Sequence, residues 1–287
     1  PIFAPMQYAF LPNKNITDPI KMVEYKQHHA SKNGRELHHV CIDLTQAFDR
    51  LESWAGDLAM KILNFPDKLQ NLLNNLNHES IREVITRDGT TEPWTLECGV
   101  PQGGVVSSLR FIAGMDMLAT WITKRCQGHN PRRKEYGYKL QPAESNQMNR
   151  INRIEPTSSQ ITRIIGNMFC DDIQLTTETF EDMQDLVGIV QEFMSTFGIP
   201  INANKSYYTA NLPPGTNEQT KPITLAPSLS GKWIGGMDGT WEPYAAKPNH
   251  IPIKQENEPI RYLGVHFAMN GSWEHQVEII KEALNTS

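Results

Sequence analysis

Phe169-Cys170-Asp171-Asp172 places two adjacent carboxylates between two β-rich runs, Ile161 to Phe169 before them and Ile173 to Thr177 after. The pattern predicts strand, tight turn, strand, with two negative charges at a hairpin tip. Like charges that close disfavour ionisation unless a cation offsets them. A divalent ion is the usual cation, and Mg2+ is held by one or two carboxylates together with substrate phosphates. Asp is also common in turns for conformational reasons alone, so the pair gains chemical meaning only from what accompanies it.

A second acidic position does accompany it. Leu37-His38-His39-Val40-Cys41-Ile42-Asp43-Leu44 is a compact, mostly apolar run without Gly or Pro and predicts a buried strand. A carboxylate at the end of such a strand is costly unless paired or bound to metal. Asp43 is therefore the natural partner of Asp171 and Asp172; its bland alternative is a helix cap. Between the two acidic positions lies Gly99-Val100-Pro101-Gln102-Gly103-Gly104, a loop whose backbone can approach a ligand closely.

Around these three features the chain predicts a regular frame. Asp18-Pro19 starts a helix with Ile20, Val23, Glu24 and Gln27 at helical spacing. Trp54 to Asn64 is amphipathic, and Pro66 to Asn77 carries Leu69, Leu72 and Leu73 as one stripe. Ile81 to Thr86 and Thr90 to Cys98 flank an Asp88-Gly89 hairpin turn. A long helix follows the Gly-rich loop, with Leu109, Phe111, Ile112, Met115, Leu118, Ala119 and Ile122 as its apolar positions. Phe180 to Phe197 is a helix stopped by Gly198. A strand through Tyr207-Tyr208, a hairpin over Arg261 to Phe267 and a helix from Trp273 complete the order. The His28-His29 and His38-His39 pairs lack the i, i+4 spacing of a helical metal site and read as packing or surface histidines.

Bulk properties narrow the class. The 287 residues suffice for a real core, and a hydrophobic fraction of 39% leaves room for polar insertions. No run of about 18 apolar residues marks a membrane span. Cys41, Cys98, Cys126 and Cys170 show no C-x-x-C spacing, which argues against a zinc ribbon or disulfide scaffold and for a reducing, intracellular setting, nuclear or cytoplasmic. The net charge is −5, yet from Lys124 to Arg163 nine basic residues face three acidic ones. Such a stretch can track a phosphate backbone, or be a solvated loop. The chain opens at Pro1 rather than Met, which leads us to expect a piece of a longer polypeptide.

Taken in order, these motifs resemble the palm domain of reverse transcriptases, most closely those of non-LTR (LINE-like) retrotransposons. The family's Asp-x-x-x-Ala-Phe-Asp is Asp43 to Asp49. Its Gly-Val-x-Gln-Gly-x-x-x-Ser is met by Gly99, Val100, Gln102, Gly103 and Ser107. Its aromatic-x-Asp-Asp box is Phe169 to Asp172, its Gly-x-x-x-Asn-x-x-Lys-(Ser/Thr) is met by Gly198, Asn202, Lys205 and Ser206, and its Tyr-Leu-Gly hairpin is Tyr262 to Gly264. Gln7-Tyr8-Ala9-Phe10 resembles the Gln-x-x-Phe ahead of the palm. Three positions depart from the pattern: Cys170 where Ala is common, Ser108 where Pro is usual, and Arg110 where the family is usually apolar.

The resemblance implies an α+β fold: a polymerase palm, an antiparallel sheet packed on helices in the right-hand architecture, with part of the fingers and two insertions. It divides the chain into partial fingers over 1–35, a palm core over 36–210 with a basic insertion at about 127–160, a second insertion over 211–258, and a primer-grip hairpin with the start of the thumb over 259–287. It implies an RNA-directed DNA polymerase that joins a dNTP to a primer 3′-hydroxyl on an RNA template. The cofactor would be Mg2+, replaceable by Mn2+, held by Asp43 and Asp171 with Asp172 in support and the main-chain carbonyl of Leu44 completing one position. Phe48 would lie under the nucleotide sugar and exclude a 2′-hydroxyl. Gln102 and Gly103 would face the nascent base pair, Lys205 would assist pyrophosphate departure, and Tyr262, Leu263 and Gly264 would grip the primer. Two alternatives stand beside this: an RNA-dependent RNA polymerase, in which an Asp is expected at the place of Phe48, and a domesticated palm serving as an RNA-binding scaffold. The expected partners are template RNA, DNA primer, dNTP and the rest of a larger polyprotein, with no membrane.

Overall fold

The computed structural model describes residues 3–77, 81–87, 89–95, 99–100, 106–126, 134–140, 162–216, 221–226, 231–234, 240–243 and 249–285. Its helices are α1 (Thr17–Asn33), α2 (Ala47–Arg50), α3 (Ser53–Ile62), α4 (Asp67–Asn77), α5 (Ser107–Cys126), α6 (Phe180–Thr196) and α7 (Glu274–Asn285). The strands that organise it are β1 (Leu37–Ile42), β2 (Tyr138–Leu140), β3 (Thr162–Ile164), β4 (Gly166–Phe169), β5 (Asp172–Thr177), β6 (Tyr207–Asn211), β7 (Ile223–Leu225), β8 (Asn249–Ile251), β9 (Ile260–Tyr262) and β10 (Val265–Phe267).

β6, β1, β5 and β4 form, in that order, one antiparallel sheet. With helices between β1 and β4 and between β5 and β6, this is a split β-α-β arrangement. Side chains alternate across a strand, and the two faces of the sheet differ sharply. Val40, Ile42, Met168, Ile173, Leu175, Tyr208 and Ala210 share one face and join the main core with Phe111, Ile112, Met115 and Leu118 of α5 and Met183, Leu186, Val187 and Val190 of α6. Burying each such side chain stabilises the fold by roughly 1.5–3 kcal/mol, so this face sets the register. The opposite face carries Asn167, Gln174, Thr176, His39, Cys41, Tyr207 and Thr209. It is covered by α1 and the β9–β10 hairpin through a second core of Val23, Ala30, Tyr138, Ile260, Tyr262 and Phe267.

The helix boundaries have local causes. Thr179 caps α6 by accepting the Asp182 N–H at 3.2 Å, and Gly198 at φ 66° lets the chain reverse after it. Leu73 is fully buried whereas Leu72 is 55% exposed. The Leu69-Leu72-Leu73 stripe expected from sequence is therefore narrower, an i, i+4 pair of Leu69 and Leu73 beside α3. Arg110, the unusual basic residue of α5, is buried. It pairs with Asp57 of α3 at 2.7 Å and donates to the carbonyls of Ser53 and Leu73 at 3.2 Å each, tying α3, α4 and α5 together.

Of the two histidine pairs, His29, His38 and His39 are buried and His28 is exposed. The Nδ1 of His29 meets the Tyr138 hydroxyl at 2.8 Å, and that of His38 meets the Tyr208 hydroxyl at 2.7 Å. Ile81–Arg82 pairs with Trp94–Thr95 and Ile85–Thr86 with Gly89–Thr90; Asp88 and Cys98 lie outside the described residues. Of the basic segment, residues 127–133 and 141–160 lie outside them too, while its ends pair as β2 and β3. β7 and β8 pair with each other, and Gln184 and Gln191 of α6 hydrogen-bond the backbone of Thr224 and Ala226. Trp233 pairs with Trp241 in a separate two-stranded ribbon. The segment around Gln7 extends the sheet by a parallel bridge to Met168 of β4. Among the described residues no helix is long and apolar enough to cross a membrane.

Candidate active site

The Asp-Asp hairpin closes on Phe169 opposite Asp172, leaving Cys170 and Asp171 as the two turn residues. Cys170 adopts φ 62°, and a positive φ at the first central position alone is the pattern of a II′ turn. The turn aims Asp171, half-buried, and Asp172, at the exposed first position of β5, out of the end of the sheet.

Asp43 arrives from the neighbouring strand. β1 and β5 are antiparallel with Ile42 opposite Ile173, so Asp43, the residue after Ile42, emerges at the same end of the sheet as Asp172, the residue before Ile173. Asp43 caps no helix: the residue before α2 is Gln46, whose side chain makes no capping bond.

The three carboxylates act on one another. Desolvation pushes Asp172 up to about 6, and the charges of Asp171 and then Asp43 push the same way, with Arg261 opposing them. Asp171 is likewise raised, by desolvation first and by Asp43 among the charges. Such elevation of Asp171 and Asp172 is the electrostatic mark of partly buried carboxylates gathered close together.

The donor set suits a hard divalent cation. Leu44 forms an isolated antiparallel bridge with Ile201, flanked by bonds from Thr45 N–H to the Pro200 carbonyl at 3.0 Å and from Asn202 N–H to the Asp43 carbonyl at 2.9 Å. That is the widely spaced pairing, in which the bridged residues turn their own N–H and C=O away from each other. The Leu44 carbonyl accordingly faces the β5 side, where Asp172 stands. No group of three or more His, Cys, Asp or Glu side chains converges as a ready-made metal cage among the described residues. An ion that takes one or two carboxylates and fills its shell with carbonyl, water and phosphate oxygens fits this arrangement; a softer ion needing Cys and His does not.

Phe48 lies on α2, five residues after Asp43, half-buried, with its ring stacked on Phe111 of α5. The Val100 N–H donates to the Phe48 carbonyl at 2.7 Å and the Gly99 N–H to the Leu51 carbonyl at 3.2 Å. Gly99 has φ 90°, and a Cβ there would lie 2.6 Å from the Asp49 carbonyl oxygen, so only glycine lets the two segments touch. The start of the Gly-rich loop is thus fastened to the helix that carries Phe48. Gln102 and Gly103 themselves lie outside the described residues.

The β9–β10 hairpin closes this edge. Leu263 and Gly264 form its turn with φ 50° and 83°, the two positive values of a I′ turn. Tyr262 is buried, and its hydroxyl has no hydrogen-bond partner among the described residues. Burial raises its pKa well above the usual value, with Cys41 and Asp172 contributing. Lys205 is exposed in the turn before β6, the same turn in which the Ser206 hydroxyl accepts the Asp43 N–H at 3.0 Å. Arg261 acts on Asp172 and Phe111 backs Phe48, and neither stands out from the sequence as a site residue; the one signal for Arg261 is that it adjoins the Tyr-Leu-Gly motif.

Comparison with known proteins agrees with this fold. Apo telomerase from Candida tropicalis, in a form truncated from the C-terminal domain, superposes with a TM-score of 0.51 at 11% identity, over 75% of this chain and 38% of that one. A second apo telomerase structure from the same organism gives 0.50 at 10% identity over 77% and 35%; at such identities the likeness concerns the fold. The Retrovirus-related Pol polyprotein from type-2 retrotransposable element R2DM of Drosophila melanogaster is 22% identical over 268 residues, which is 93% of this chain and 21% of that protein. The chain thus spans about a fifth of the curated relative it matches. The profile of the family described as Reverse transcriptase (RNA-dependent DNA polymerase) matches residues 1–267. A match over nearly the whole length, on a sheet that gathers the three aspartates at one end, makes this chain a member of the reverse transcriptase family.

Proposed function

We propose that this chain is the palm-centred core of an RNA-directed DNA polymerase of a non-LTR retroelement, extending a DNA primer with dNTPs on an RNA template. The observation that carries the reading is that Asp43, just past the end of β1, and the Asp171-Asp172 hairpin emerge at the same end of the sheet, where Asp171 and Asp43 both act on Asp172. Asp43 and Asp171, with Asp172 in support and the Leu44 carbonyl, would hold the divalent ions, which we take to be Mg2+ with Mn2+ as a substitute. Such ions, when bound, lower the pKa of an attacking hydroxyl and offset charge on the leaving phosphate.

The chain's own groups supply the rest. Phe48, braced by Phe111 and by the Val100 hydrogen bond, presents a flat apolar surface that discriminates against a 2′-hydroxyl. An apolar ring there disfavours the RNA polymerase alternative, and three retained carboxylates disfavour a purely structural palm. Lys205 would act as a cation toward the departing pyrophosphate, and the β9–β10 hairpin with Tyr262, Leu263 and Gly264 would support the primer end. Gln102 and Gly103 are assigned to the template and nascent pair on the family pattern alone. The partners are template RNA, primer, dNTP and the remainder of a longer polyprotein.

Primer extension by the longer protein carrying Asp171→Ala tests the assignment. Extension should fall by about a thousandfold, the scale of several kcal/mol of lost charge stabilisation, while primer-template affinity stays within twofold. Extension close to that of the unaltered protein would remove Asp171 from the chemistry.

A further inference from the structure

We infer that Ser206 is a positioning residue for Asp43, locking the backbone of that carboxylate so that its side chain and the following carbonyl can meet a divalent ion; this rests on the reading of Asp43 as a metal ligand.

The sheet ladder does not reach Asp43. The last partners of β1 are Tyr207, opposite Cys41, and Ile173, opposite Ile42. Beyond them the chain would be free to splay, because a strand end has no register of its own. The turn at 202–206 takes over instead. Its Ser206 hydroxyl accepts the Asp43 N–H at 3.0 Å, and its Asn202 N–H donates to the Asp43 carbonyl at 2.9 Å. Both main-chain polar groups of Asp43 are therefore bound on the β6 side. Successive residues of an extended chain alternate direction, so this sends the Leu44 carbonyl to the β5 side, toward Asp172.

Ser206 itself has no freedom. It is 2% exposed, and its hydroxyl donates to the Asn202 carbonyl at 2.8 Å, which commits the proton and turns a lone pair to Asp43. The Asn202 carbonyl also accepts the N–H groups of Ser206 at 2.9 Å and Lys205 at 3.2 Å. Lys205 and Asp43 are thus held by one hydrogen-bonded turn, although 162 positions separate them in sequence. Partners that orient a metal-binding group commonly carry 10–100-fold in metal affinity.

The test is a titration of the chain with Mn2+ at pH 7.5, reading free Mn2+ by electron paramagnetic resonance, with thermal unfolding followed in parallel. Asp43→Asn should weaken binding at least about tenfold. Ser206→Ala should also weaken it about tenfold, whereas Ser206→Thr, which keeps the hydroxyl, should remain within twofold of the unaltered chain. Should Ser206→Ala not fold, Ser206→Cys keeps the buried volume, weakens only the hydrogen bond, and is read by the same criterion. A lowered Tm with unchanged Mn2+ affinity in these variants would make Ser206 merely structural and overturn the inference. Unchanged affinity in Asp43→Asn as well would instead overturn the reading of Asp43 as a ligand.

Discussion

The rings of Phe48 and Phe111 lie face to face, with centroids 3.7 Å apart and planes 7° from parallel. Phe111 is fully buried in the main core, and Phe48 packs against that core from its edge. On the proposed reading, the surface that Phe48 would offer to a nucleotide sugar is set by the fully buried Phe111 behind it. Phe48→Ala is expected to raise the rNTP-to-dNTP incorporation ratio by about tenfold, equivalent to about 1.4 kcal/mol of discrimination. Phe111→Leu, which lets the Phe48 ring recede, should raise it in the same direction by a smaller factor. Single-nucleotide incorporation kinetics measure both. An unchanged ratio in Phe48→Ala would end its role as a gate.

Gly99 is a contact point rather than a flexible joint. Its φ of 90° and the 2.6 Å approach of a Cβ to the Asp49 carbonyl mean that Gly99→Ala must push the Gly-rich loop off α2. Strain of this kind costs about 1–3 kcal/mol. The variant should unfold several degrees lower and, because Val100 moves with it, incorporate dNTPs more slowly. A Tm within one degree of the unaltered chain would contradict the tight approach.

Asp172 makes stability depend on pH with a definite sign. Its folded pKa is raised to about 6 from an ordinary 3.8, so the folded chain binds the proton more tightly than the unfolded chain. Its contribution is most favourable at or below pH 3.8 and is lost as pH rises to about 6. Without divalent ions, Asp172→Asn should therefore remove a downward slope in Tm between pH 4.5 and 6.5, and Mn2+ should raise the Tm of the unaltered chain above pH 6. Parallel Tm curves for the two proteins would contradict the gathering of charge at this end of the sheet.

Lys26 carries the opposite sign. Its ammonium is fully buried beneath the polar face, bonded to Gln174 Oε1 at 3.0 Å and Thr176 Oγ1 at 3.1 Å, and desolvation lowers its pKa to about 7. The folded chain releases this proton more readily than the unfolded one, so stability should rise with pH from about 7 toward 10.5. Gln174 keeps a bond from Asn167 at 2.9 Å and Thr176 keeps its bond to the Ile164 carbonyl. Lys26→Met should thus flatten that rise and increase Tm at neutral pH, by about 2–4 °C for each kcal/mol recovered. A large loss of stability would show that the ammonium organises the face rather than burdening it.

The contrast between Lys26 and Asp171 shows what the chain discloses by itself. Asp171 and Asp172 stand between two β runs, and Asp43 ends a third, so alternation and turn chemistry sufficed to expect a hairpin and a buried strand meeting there. Lys26 sits at an ordinary helical position, and nothing local says that its face of α1 covers the polar side of a sheet. Leu72 and Leu73 show the same limit: adjacent leucines point about 100° apart on a helix, and only the position of α3 decides which is buried. The bond between Ser206 and Asp43 spans 163 residues and exists only because β6 lies beside β1. Leu263 at φ 50° is likewise a demand of the I′ turn, met by a residue that rarely adopts it.

Asp43, Asp171 and Asp172 are proposed to converge on divalent cations, and a crystal of the chain soaked in Mn2+ is the sharpest test. Anomalous scattering should give a peak bonded to a carboxylate oxygen of Asp43 and one of Asp171, with the Leu44 carbonyl in its shell. A well-ordered site without Mn2+ density, or with the ion held only by groups elsewhere, would contradict it.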